Sequence, residues 1–147
     1  MDDTQQKNGL DDFARRYLYL LAAAAAVALL WWLLSLDYRA AELNDLLAAD
    51  EELAAYPYQF QVLSLDNGIA RMSSPRSAQM SAIQGLRILF PQLNDASADS
   101  EEMMAAQEKL AQTQSRAAGL VSAEADVKRV VWVLDEAWLG SHGVYVQ

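Results

Sequence analysis

Residues 17–36 (YLYLLAAAAAVALLWWLLSL) carry no charged side chain and a single aliphatic hydroxyl, that of Ser35. At ~1.5 Å rise each, these twenty residues build ~30 Å of helix, the thickness of a bilayer's hydrocarbon core. Eight of them are leucine, each favouring insertion by ~0.3–0.6 kcal/mol near a helix centre. Tyr17 and Tyr19 stand at one end and Trp31 and Trp32 toward the other, where amphipathic rings prefer the headgroup level. A buried helix of a soluble protein would need other long apolar runs to enclose it, and few exist. A cleaved signal peptide would have an apolar stretch of ~7–15 residues ending in a small-x-small site. This run is longer and passes into Leu36-Asp37-Tyr38-Arg39, a poor cleavage site. It reads as an uncleaved anchor crossing a membrane once. Ala22 and Ala26, with Ala24 and Ala28, add the small-x-x-x-small spacing that permits close helix approach.

Lysine and arginine near the ends set the expected orientation. Lys7, Arg15 and Arg16 precede the run, and Arg39 is the only basic residue close behind it. Acidic residues contribute little to this rule. Residues 1–16 are therefore expected to be a cytoplasmic tail, with everything after the anchor exported. In a bacterium this is a single-pass inner-membrane protein with a periplasmic domain. The absence of cysteine suits an oxidising compartment. A net charge of −9 argues against nucleic acid and anionic headgroups as partners.

About 110 residues follow the anchor, enough for one small domain. Residues 37–56 read as one helix, with Ala40, Leu43, Leu47 and Ala54 near one face, Leu46 and Leu53 widening it, and Pro57 ending it. That face suits either a short coiled-coil stalk or a helix folded back on its own domain. Residues 58–73 form a hairpin around Asn67-Gly68, a type I′ turn in which both positions need positive φ. Its register sets Asp66 against Ile69, Leu65 against Ala70 and Leu63 against Met72. Ser81 caps a helix running to about Phe90, weakened by Gly85 and stopped by Pro91. Residues 92–100 are a polar loop, and Asp99 with Glu102 resembles a capping box. The following helix carries Met103, Ala106, Leu110, Thr113, Ala117 and Leu120 in one seam, expected to lie across a sheet. Residues 128–135 (KRVVWVLD) read as a strand, 136–140 as a helical turn and 144–146 as a final strand.

The expected fold is thus a single transmembrane helix (17–36), a juxtamembrane helix (37–56) and a small exported α+β domain (57–147). An antiparallel hairpin and additional strands carry helices on one face, a ferredoxin-like arrangement being one version.

Catalytic chemistry has little to draw on. His142 is the only histidine and sits between glycines in Gly140-Ser141-His142-Gly143. An adjacent Ser and His do not make a nucleophile–base pair, which needs a third orienting group and an oxyanion site. One histidine without cysteine makes zinc improbable. Asp95-x-Ser97-x-Asp99 resembles the start of a calcium loop but lacks the glycine and glutamate that complete it. No phosphate-binding glycine motif occurs. No cofactor, metal or catalytic residue is expected. Contact candidates remain: Leu43 and Leu47 on the juxtamembrane face, Trp132 and Trp138 as aromatic anchors, and Arg71 and Arg76 at the hairpin exit.

The layout resembles that of inner-membrane subunits of secretion and pilus platforms. That resemblance implies a non-enzymatic scaffold whose exported domain binds another membrane or periplasmic protein, or its own copy. The alternative is a membrane-anchored sensor with a ligand pocket between sheet and helices.

Overall fold

The computed structural model describes residues 3–78 and 80–146. Met1 and Asp2 of the expected tail, Gln79 and Gln147 lie outside the described residues. The chain divides into two compact units, Met1–Asp37 and Tyr38–Gln147.

Helix α1 (Asp3–Ala48) contains the apolar run. Among the described residues one helical stretch, Asp11–Ala48, is long and apolar enough to cross a membrane. Within the first unit its side chains are exposed all round from Asp11 to Ser35. Ser35 donates its hydroxyl hydrogen to the Trp32 carbonyl oxygen at 2.7 Å, so the one aliphatic hydroxyl of this stretch is satisfied by its own helix.

In the second unit, α1 becomes amphipathic. Ala40, Leu43 and Leu47 are buried, while Glu42 and Asp45 face solvent. The helix expected to reach Tyr56 breaks at Asp50. Asp50 accepts the Leu53 N–H at 3.0 Å and caps a second helix, α2 (Glu51–Ala55). This break turns Ala54 out to solvent, correcting its place on the apolar face. An aspartate that can satisfy an orphan N–H ends one helix and starts another at little cost.

Strands β1 (Val62–Asp66) and β2 (Ile69–Ser74) form the hairpin. Asn67 and Gly68 both have positive φ, 50° and 79°, and Asp66 faces Ile69 and Leu65 faces Ala70 as expected. The register then slips. Val62, not Leu63, faces Met72, so Leu63 is a bulge residue and lies half in solvent. Two residues opposing one shift every earlier side chain by one place, and Val62 takes the core position.

Helix α3 (Ala82–Leu89) starts at a reciprocal cap in which Ser81 accepts the Gln84 N–H and Gln84 accepts the Ser81 N–H. Gly85 is required there, since a Cβ would lie 2.7 Å from the Pro75 carbonyl oxygen. After a short 3-10 turn at Pro91–Leu93 comes α4 (Glu101–Ser122), whose cap is Ser100, one residue beyond the expected Asp99. Its buried residues Met103, Leu110, Thr113 and Ala117 follow the expected seam, with Val121 buried where Leu120 is half-buried.

Strand β3 (Arg129–Leu134) completes a three-stranded mixed sheet in the order β1-β2-β3. It runs parallel to β2, with Ala70 beside Val130 and Met72 beside Trp132. Parallel neighbours need a long crossover, supplied here by α3 and α4. The strand and helix order is therefore β-β-α-α-β, which differs from the βαββαβ order of a ferredoxin-like fold. Leu65, Ala70 and Met72 share one core with Leu43, Leu47, Leu86, Met103 and Leu110; the second unit is a small α+β domain.

Helix α5 (Glu136–Ser141) forms where a helical turn was expected, but the final strand expected at 144–146 does not follow it. Gly143 takes positive φ, 76°, donating its N–H to Gly140 while Val144 donates to Leu139. This is a Schellman closure. The Val144 N–H serves the helix, and residues 144–146 join no sheet.

Candidate interaction surface

Leu43 and Leu47 are 1 % and 3 % exposed. Their side chains are occupied by the core of their own domain, which corrects their reading as a contact surface. The residues between them explain the docking. Asn44 donates its amide N–H to the Val62 carbonyl oxygen at 3.0 Å and accepts the Val62 N–H at 2.6 Å. A side-chain amide thus mimics a neighbouring strand at the outer edge of β1.

Two charged clusters hold the helices of this unit together. Arg39 donates to Asp126, Glu124 and Glu42, and these hydrogen bonds, that of Asp126 first, raise its pKa above the ordinary arginine value. Asp126 is lowered in turn, chiefly by Arg39. Arg116 on α4 forks onto Asp50 at 2.8–3.0 Å, and that contact, with the Leu53 N–H, lowers the Asp50 pKa.

The two tryptophans are joined through Tyr58 and Phe60, whose rings meet edge-on at 4.9 Å. Trp138 meets the Tyr58 ring edge-on at 5.2 Å. The Tyr58 hydroxyl donates to Asp135 at 2.9 Å, and burial is the main cause pushing its pKa above the ordinary tyrosine value. Trp132 meets Phe60 edge-on at 5.8 Å and stays half-buried. Arg71 is exposed on the opposite sheet face. Arg76 is brought to Trp132. It donates through Nε to the buried Gln114 at 3.1 Å, and both line a surface pocket of about 270 Å³ with Ala111, Ser115 and Ala118.

A second pocket, about 290 Å³, lies among Asn44, Asp45, Gln59, Phe60 and Gln61. Both volumes fall just below the ~300–1,000 Å³ usual for small-molecule sites. Ser141 and His142 fold back on α5. Ser141 donates to the Trp138 carbonyl oxygen at 2.6 Å, and His142 Nδ1 lies 2.8 Å from that same oxygen. Both side chains thus cap the end of α5. Among the described residues no group of three or more metal-ligating side chains occurs.

Sequence reasoning missed β3 as the least covered strand. All five residues from Val130 to Leu134 are half-buried, whereas Ala70 and Met72 beside them on β2 are fully buried. The signal was present in the charges flanking VVWVL, basic before and acidic after. Against known protein families, characterised proteins and solved structures, the chain finds no match.

Proposed function

We propose that this is a non-enzymatic, single-pass membrane protein whose exported domain assembles with another protein or its own copy. It would serve as a subunit or scaffold of a bacterial inner-membrane complex, such as a secretion or pilus-type platform. The observation that carries the assembly reading is the incomplete cover over β3, where Trp132 and Arg76 open onto one side of α4. Half-buried aromatics with arginine nearby are the residue types that anchor interfaces. Anchorage rests on the all-round apolar helix surface, and export rests on Lys7, Arg15 and Arg16 ahead of it.

Purification from native membranes in mild detergent tests the assembly reading. A stoichiometric second chain is expected, and a lone monomer overturns it. Reporter fusions after Gln147 test the orientation, with export-dependent activity expected. The sensor reading draws on the polar pocket beside Asn44, Gln59 and Gln61. Protection of these residues by a small polar solute, without any change in assembly, would favour it.

A further inference from the structure

The two outer edges of the sheet are treated differently. The β1 edge is closed by the Asn44 amide on Val62 and bent by the bulge at Leu63. These are the ordinary means by which a sheet blocks unwanted pairing. The β3 edge is straight, pairs in unbroken register from Arg129 to Leu134, and contains no proline. Arg129 and Asp135 donate their N–H groups to Gly68 and Ser74 at the two ends of β2. Backbone groups alternate along a strand, so those of Val130, Trp132 and Leu134 point away from β2.

We propose that this edge pairs antiparallel with the same edge of a second copy, about a two-fold axis at Trp132, joining two three-stranded sheets into one of six. The segment 128–136 (KRVVWVLDE) is charge-complementary to itself when reversed. With Trp132 opposite Trp132, Val130 meets Leu134, and Lys128, just ahead of the strand, comes to the end where the partner copy's Glu136 opens α5. The parity is correct, because the three residues whose backbone groups point outward then face one another. Sliding the register by two residues either way separates Lys128 from Glu136. Parallel pairing sets like charges side by side, which is unfavourable. Lys128 and Glu136 are exposed, the half-buried Asp135 keeps its bonds to the Tyr58 hydroxyl and the Trp138 N–H, and Ala111, Ser115 and Ala118 beside Trp132 leave room for the second ring. A self-complementary patch related by a two-fold axis is the commonest form of homodimer contact. The inference deepens the assembly reading by naming the partner, and it rests on that reading. Two copies held in one bilayer need only modest intrinsic affinity, since confinement raises their effective concentration.

The chain has no cysteine, so single introduced thiols report cleanly. Val131 and Val133 become a non-hydrogen-bonded pair across the axis, with Cα atoms ~4.5 Å apart, within disulfide range. Full-length Val131→Cys and Val133→Cys proteins are to be reconstituted in liposomes, separately and mixed, and mildly oxidised. A disulfide-linked dimer is expected in the mixture and in neither protein alone. Lys128→Glu is expected to weaken dimerisation about tenfold, Glu136→Lys likewise, and the two together to restore it. Equal crosslinking in all three samples, or no rescue by the double variant, overturns the register and with it the inference. A wild-type chain that is monomeric in the bilayer yet carries a stoichiometric different protein also overturns it, leaving the assembly reading intact.

Discussion

Helix α1 holds leucines in two environments. Leu29 and Leu30 are 57 % and 59 % exposed, while Leu43 and Leu47, in the second unit, are 1 % and 3 % exposed. The first group belongs to a surface apolar on every side, which no single protein face could cover. The second belongs to a stripe with acidic residues behind it. The difference teaches that hydrophobicity alone does not define a core; the angular spread of apolar residues does. A narrow stripe can be covered by one protein face, and a full ring cannot.

Placing charges within the ring makes the largest break in this comparison. Ala25→Arg combined with Val27→Asp costs ~2.5–3.5 kcal/mol per charge at a helix centre. The protein is expected to move from the carbonate-resistant membrane fraction to the soluble one, with the melting of the folded domain unchanged. Retention in the membrane would show that lipid does not cover this surface.

Next in size is Leu43→Ala. A fully buried leucine truncated to alanine loses about 2–5 kcal/mol, to be read by denaturant unfolding of the domain. Leu29→Ala, in the same helix, is expected to change that unfolding by less than ~0.5 kcal/mol. Equal effects at the two sites would erase the distinction between stripe and ring. Serine at both Leu43 and Leu47 is expected to unfold the domain outright.

The smallest effect sharpens the stripe's own attachment. Asp50 and Asp126 have pKa values lowered from the ordinary 3.8 by Arg116 and Arg39. A depressed carboxyl pKa stabilises the folded state above the unfolded value, and this contribution is lost as pH falls through the folded one. The melting temperature is therefore expected to hold steady from pH 7 to about pH 5 and to fall below about pH 4. Asp126→Asn should melt lower at pH 7 and show a shallower acid decline. A parallel decline in wild type and variant would remove the Arg39 cluster from the account.

What could be read in advance follows the range of the interactions. The Asn67-Gly68 turn, the Ser81 cap, the seam of α4 and the strand at β3 depend on residues a few places apart, and each was legible. The break at Asp50 was not, because the helical pattern of Leu46, Leu47 and Leu53 continues across it, and only the distant Arg116 and the capped Leu53 N–H favour stopping. The bulge at Leu63 was hidden because Val62 and Leu63 are equally apolar, and Asn44 helps fix which one turns inward. Residues 144–146 have strand composition, yet Gly143 commits the next N–H to closing α5. The parallel pairing of β2 and β3 is a long-range choice with no local mark. At the candidate surface, residue types were legible, but the company they keep was not: Arg76 found Trp132 across α4, and Leu43 found the core.

The Arg39 cluster also bears on how the chain is made. Arg39 bonds Asp126, 87 positions later, and Tyr58 bonds Asp135, 77 positions later. During synthesis the hairpin, α3 and α4 can all form while β2 still lacks one neighbour. Folding that waits on such distant contacts is slow, and until residues 129–134 emerge, β2 presents an open edge of its own. A late β3 thus leaves β2 open to pairing with another chain, and the segment that completes the sheet is also the one that closes that hazard.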